Sequence, residues 1–205
     1  MIKMNVVYFA TTNPGKVESV KRALAKYDIK VVHVFLEMPE PRSYDLQEIA
    51  RHKVLYAYDK IKKPCIVIDA GFYVWSLNGF PKSFTNFMLE TIGLEGLLNL
   101  ILHKDRTCRF SGCLAYYDDT MKNPKCFVYH VDGSLADAPR GRLRKSAWSP
   151  LHLLFIPSGQ KKTLSEMTYK EYCKWRIKHD HAKYLNQFAE WYKKRQTKNA
   201  SANNL

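Results

Sequence analysis

Residues 4–10, which contain the run NVVYFA, are almost wholly apolar and do not alternate, and this constrains the fold more than any other feature of the chain. A half-buried strand alternates apolar and polar side chains. A strand of β-branched and aromatic residues without alternation is covered on both faces. Covering takes helices, and Lys16 to Lys26 reads as one, with Val17, Val20 and Leu24 on a single stripe. IKVVHVFL (Ile29 to Leu36) reads as a second strand, and Pro39 and Pro41 then interrupt the chain. A second helix is expected over Tyr44 to Asp59. Leu46, Ile49, Ala50, Val54 and Ala57 keep helical spacing there, with Glu48 and Lys53 on other faces. CIVID (Cys65 to Asp69) is a short apolar strand ending in a carboxylate.

The second half changes character. After NGFP, Phe84 to Leu102 is helical with an interruption near Gly93 or Gly96. Two long strands follow, Cys108 to Asp118 and Lys125 to Leu135, joined by the turn residues of DDTMKNP. Then come a basic loop, RGRLRKSAWSP, a short strand, LHLLFIP, and a helical region from Thr163 to Arg195. Alternating β and α followed by a hairpin and helices gives a mixed α/β fold. A single domain over residues 1–196 is expected, with 197–205 a polar, disordered tail.

The formal net charge of +14 points to an anionic partner: a nucleoside triphosphate, a nucleic acid or an acidic protein surface. Much of the excess sits in RGRLRK (Arg140 to Lys145) and in the C-terminal region, with KKRQTK at Lys193 to Lys198. These residues are not interleaved with a recognisable nucleic-acid module, so nucleic acid ranks last among the three. No apolar run reaches the roughly 20 residues of a membrane span, and no secretory signal is visible, so a cytoplasmic protein with no membrane partner is expected. The five cysteines contain no CxxC pair, which argues against a zinc site or a disulfide framework.

Three groups of residues suit chemistry. The turn TTNPGK (Thr11 to Lys16) joins a strand to a helix N-terminus, where free N–H groups and the helix dipole favour anions. Thr12 and Asn13 add side-chain donors and Lys16 a positive charge, and the alternative is a tight turn with a solvated lysine. No GxxxxGK[ST] is present, which excludes a P-loop. Asp69, at the end of a buried strand, lies where open α/β sheets place ligands, and with Glu48 it can share a magnesium ion. The alternatives are a turn ligand for Asp69 and a solvated helix face for Glu48. Lys174 and His179 lie five apart on a basic helix and suit phosphates or a base edge, or else simply solvent. Trp148 suits stacking on a base, or the core.

Taken together these segments resemble the inosine triphosphate pyrophosphatase family, which hydrolyses deaminated purine triphosphates. ATTNPGKVESV is similar to its (T/S)xNxxK motif, with Thr11, Asn13 and Lys16 at matching positions. YDLQEIARHK is similar to its acidic helix, with Glu48 at the metal-binding glutamate and Lys53 at a recurrent lysine. VIDAGFYVWSLNGFP, APRG, AWSP and FIPSGQKKTLSEM follow in the family order, as does the helix around Lys174 and His179. The resemblance implies a twisted mixed sheet with flanking helices in two lobes, a nucleotide cleft between them and a homodimer. It implies that Thr12, Asn13, Lys16, Lys53 and Lys174 hold phosphates, that Glu48 and Asp69 bind Mg2+ and that Asp69 activates water. Trp148 and His179 would line the base pocket.

The chain departs from that pattern in four places. An acidic pair becomes Ile68-Asp69, GGxPG becomes NGFPKS with Lys82 and Ser83, GWDP becomes AWSPLH with Ser149 for the aspartate, and SHR becomes Lys178-His179-Asp180. Loss of one catalytic or metal-ordering carboxylate costs on the order of a hundredfold in rate. The expectation is therefore a protein that binds dITP, ITP or XTP with weakened or lost hydrolysis and relays binding to a protein effector, as in anti-phage defence. The alternative is an active, magnesium-dependent pyrophosphatase releasing a monophosphate and pyrophosphate.

Overall fold

The computed structural model describes residues 5–178 and 183–202. The first half is β1 (Asn5–Ala10), α1 (Pro14–Ala25), β2 (Ile29–Val34), α2 (Leu46–Ile61) and β3 (Cys65–Val74). The two-residue β4 (Pro81–Lys82), α3 (Thr85–Thr91) and α4 (Gly93–Leu100) connect it to the hairpin of β5 (Thr107–Tyr117) and β6 (Lys125–Leu135). The chain ends with β7 (Phe155–Pro157), α5 (Tyr169–Lys178) and α6 (Lys183–Ala202).

These strands make one seven-stranded mixed sheet in the order β2-β1-β3-β5-β6-β7, with β4 paired to β3. β1 runs parallel to β2 and β3, and the remaining pairs are antiparallel. The chain leaves β1 through α1 to one side and returns through α2 to the other. The strand order therefore reverses at β1, the place where open α/β sheets form a crevice outside the strand ends.

Both faces of β1 are covered, as its lack of alternation requires. Val7 and Phe9 join one apolar cluster with Val17, Val20 and Leu24 of α1 and with Tyr184, Phe188 and Tyr192 of α6. Ala10 joins a second cluster with Ile49, Ala50, Val54 and Ala57 of α2. β3 divides likewise, with Ile66 and Ile68 toward the first cluster and Cys65 and Val67 toward α2. A period of two then puts Asp69 on the α2 side.

The helical stretch expected over Phe84 to Leu102 divides at Ile92, next to Gly93, whose φ of 65° lies in the left-handed region, so the interruption falls at the first of the two glycines expected to make it. Other boundaries differ from the sequence expectation. LHLLFIP is not strand throughout: Pro150–Leu153 form a 3-10 turn, with the Ser149 hydroxyl accepting from Leu151 N, and only Phe155–Pro157 pair with β6. Helix α6 carries on to Ala202, through six residues of the segment read as a tail. It is tied to the sheet by Asp118, which pairs with Arg195 at 2.9 Å and accepts from the Tyr116 hydroxyl at 2.6 Å. No helix among the described residues is long and apolar enough to cross a membrane.

Candidate active site

A cavity of about 840 Å³ opens where β1 and β3 end, a size that suits a nucleotide-like ligand. One wall comes from the parallel half of the sheet. The Asn13 side chain caps α1 by accepting from Lys16 N at 3.2 Å, and Pro14 begins the helix, where a missing N–H costs nothing. Thr12 is exposed on the cavity lining, whereas Thr11 is buried and its hydroxyl accepts from Asn13 N at 3.1 Å. Lys16 reaches along the cavity and donates to Ile68 O at 2.9 Å. Burial lowers its pKa from the ordinary lysine value, against the opposing pull of Asp69.

The carboxylates sit beside this turn. Lys53 Nζ lies 2.7 Å from Asp69 Oδ2 and 2.5 Å from Glu40 Oε1, joining two carboxylates through one cation. The contact to Oδ2 is an ion pair without hydrogen-bond alignment, and Oδ2 has no other partner among the described residues. Asp69 Oδ1 accepts from Ala70 N at 2.9 Å. Burial acts against the charge of Lys53, but Asp69 and Glu40 outweigh it and hold its pKa above the ordinary lysine value.

Lys53 corrects the sequence reading. It stands on the buried face of α2 with Leu46, Ile49, Ala50, Val54 and Ala57, not on another face. Spacings of seven from Leu46 and four from Ile49 put it there, and the lysine is tolerated because its ammonium reaches two carboxylates. Glu48, the expected magnesium ligand, is exposed on the first turn of α2, accepts from the Ser43 hydroxyl at 2.6 Å and is absent from the cavity lining. The carboxylate beside Asp69 is Glu40, which sequence reasoning missed. Its signal was its setting: an acid between Pro39 and Pro41, in the loop that leaves β2.

The other wall comes from the antiparallel half: Phe110 of β5, Tyr129 of β6, Phe155 of β7, Trp175 of α5 and His152 of the 3-10 turn. Phe110 packs against Phe155 with ring centroids 4.8 Å apart. Ser149 and Trp148 lie on this lining too. Trp148 is half-buried, and its indole N–H donates to Gly15 O and Ser19 Oγ, each at 3.1 Å. Its carbonyl accepts from Asn13 Nδ2 at 3.2 Å. This loop crosses the turn so closely that a Cβ on Gly15 would come within 2.8 Å of Ala147 O, which requires glycine there. Trp148 therefore locks the loop onto α1 as well as lining the cavity.

The structure brings Thr12, Asn13, Lys16, Lys53, Asp69 and Trp148 to one cavity. Lys174 is exposed and stands off its lining, where α5 presents Trp175 instead. His179 lies outside the described residues. No cluster of three or more His, Cys, Asp or Glu side chains suited to a metal occurs among the described residues.

The sequence pattern of the Ham1 family matches residues 7–191. A dITP/XTP pyrophosphatase of Methanopyrus kandleri is 37% identical over 188 residues, covering 91% of this chain and 96% of the relative. One of Thermococcus kodakarensis is 33% identical over 186 residues, covering 90% and 96%. Among solved structures, the Ham1 protein of Staphylococcus aureus superposes with a TM-score of 0.74 at 23% identity, covering 93% of this chain and 99% of that one. A HAM1 protein of Coxiella burnetii gives 0.75 at 19% identity, covering 93% and 100%. These two likenesses carry the fold.

Proposed function

Since this chain belongs to the Ham1 family, we propose that it is a nucleoside triphosphate pyrophosphatase acting on deaminated purine nucleotides of the dITP and XTP kind. It releases the nucleoside monophosphate and pyrophosphate. The observation that carries this reading is the Glu40–Lys53–Asp69 chain beside the Asn13–Lys16 turn, in a cavity whose facing wall is aromatic.

Asn13 and Lys16, with the first N–H groups of α1, hold the phosphates. Asp69 faces the phosphorus nearest the sugar and accepts a proton from the attacking water. The new bond joins the water oxygen to that phosphorus, and the bond to the bridging oxygen breaks as pyrophosphate leaves. Lys53 holds Asp69 and Glu40 in place and keeps their charges compensated. The donor set suits magnesium, a cation that takes carboxylate oxygens from one or two side chains and fills its remaining positions with waters and phosphates. Asp69 Oδ2, buried and without a hydrogen bond among the described residues, and Glu40 are the oxygens that would hold it. When bound, magnesium supplies charge neutralisation on the phosphates.

The sensor reading rests on the changes at Ile68, Ser149 and Asp180. Glu40 weakens its premise, because a second carboxylate reaches Lys53 beside Asp69 from another element although Ile68 carries none. The names of the 37% and 33% identical relatives favour turnover as well. Pyrophosphate release measured on dITP, XTP, dATP and dGTP with magnesium is expected to favour the first two. Turnover no greater than that of Asp69→Asn would sink the hydrolase reading, and micromolar dITP binding without turnover would restore the sensor.

A further inference from the structure

His152 is a polar side chain of the aromatic wall to which the proposed hydrolysis gives no role. It is 7% exposed and lines the cavity, in contact with Phe110 (centroids 6.4 Å apart) and Tyr172 (6.3 Å). A histidine in a protein interior is ordinarily hydrogen-bonded through its ring. No hydrogen bond reaches either ring nitrogen of His152 among the described residues, although its backbone carbonyl accepts from Ser165 N at 3.0 Å. An unpartnered imidazole in the wall of a ligand cavity is a group waiting for the ligand.

Its protonation state follows from its surroundings. Burial, and then the charges of Arg144 and Arg176, push its pKa down to about 3, so the ring is neutral at any working pH. A neutral imidazole has one donor and one acceptor nitrogen. Both arginines lie over the Tyr172 ring, at 4.8 and 5.7 Å from its centroid, and neither lines the cavity. Arg144 is fixed in place by donating to Leu164 O at 2.7 Å. The two arginines disfavour the imidazolium, and the neutral ring, bonded to no protein group among the described residues, keeps its one N–H available to a ligand in the cavity.

We propose that His152 discriminates 6-oxopurines from 6-aminopurines by donating its ring N–H to the 6-oxygen of the base at the aromatic wall. A 6-oxo group accepts that hydrogen, whereas a 6-amino group sets donor against donor and strands both. Such a mismatch is worth about 1–3 kcal/mol, or roughly fivefold to 150-fold in discrimination. The assignment rests on the reading of the cavity as a purine triphosphate site and adds the residue that chooses the base.

The test pairs the side chain with the atom it is said to read. Kd by calorimetry and kcat/KM by pyrophosphate release are measured for dITP, dATP and the purine deoxyriboside triphosphate that lacks any 6-substituent. The proteins are the wild type, His152→Leu and His152→Phe, the latter a flat ring for the same aromatic setting. The wild type is expected to favour dITP over the unsubstituted purine at least fivefold, and either variant to lose that preference. The same 6-oxygen preference in wild type and in a folded variant overturns the assignment and leaves the pyrophosphatase reading standing. Binding with discrimination but no hydrolysis overturns the pyrophosphatase reading and leaves His152 as the base reader. A wild type that binds none of the three overturns both.

Discussion

The parallel half of the sheet supplies the cavity with Lys16, which donates to Ile68 O, and with Lys53 held between Asp69 and Glu40, whereas the antiparallel half supplies Phe110, Phe155, Trp175 and the neutral His152. The difference follows from how each half meets the cavity. Parallel strands end there, so the wall is made of a strand end, a helix N-terminus and the buried face of α2, all rich in polar groups or able to hold them. Antiparallel strands present their faces, and a strand face that packs against helices is apolar and aromatic. A triphosphate and a purine need these two surfaces at neighbouring places, and one mixed sheet provides both.

Asp69→Asn breaks the polar wall most severely. Pyrophosphate release is expected to fall by about a hundredfold or more while dITP still binds. Equal losses in binding and turnover would mean that Asp69 positions phosphate instead of accepting a proton. Lys53→Met comes next, because it leaves Asp69 and Glu40 facing each other without their cation. Removing one partner of a buried ion pair costs about 3–5 kcal/mol, and the lowered Tm should recover in part on addition of magnesium. A Tm indifferent to magnesium in this variant would argue against a metal at these two carboxylates.

Glu40→Gln against Glu48→Gln separates the structural assignment from the sequence one. The first is expected to raise the magnesium concentration for half-maximal activity about tenfold, the second to leave it within about twofold. The reverse result would return the metal to the first turn of α2.

The walls should also differ in their response to pH. Lys16 has a lowered pKa, so kcat/KM should fall on the alkaline side before the ordinary lysine value of 10.5. The dITP-to-dATP ratio, set by a ring neutral down to about pH 3, should stay flat from pH 5.5 to 9, a range that stays above that value. The same depressed pKa has a stability consequence. The unfolded chain, with a histidine near 6.5, binds a proton that the folded chain refuses, so stability present above 6.5 is lost as pH falls toward 3. His152→Phe should flatten that loss in a Tm-against-pH series, by at most about 1.4 kcal/mol per pH unit. The smallest effect is expected from Trp148→Phe. It removes the indole N–H that meets Gly15 O and Ser19 Oγ and costs about 1 kcal/mol by thermal unfolding.

Local pattern carried much of this. The unbroken apolar run of β1, the turn at Thr11–Lys16 and the carboxylate at the end of CIVID are legible because each depends on residues close together in the chain. So is the α/β class, since a strand covered on both faces demands helices. The site's partnerships were not. Glu40 reaches Lys53 across 13 residues and Trp148 reaches Gly15 across 133, and no periodicity measures such separations. Periodicity put Lys53 off the core face, and the family resemblance, not periodicity, put Glu48 at the metal. What moved them was the docking of α2 on the sheet: it buried the lysine where two carboxylates could meet its charge and left Glu48 at the exposed end. His152 sat unnoticed in an apolar stretch. Only the closing of β5, β6 and β7 around a cavity turned it from a core residue into a lining one, because a side chain's chemistry is set by what the fold brings to face it.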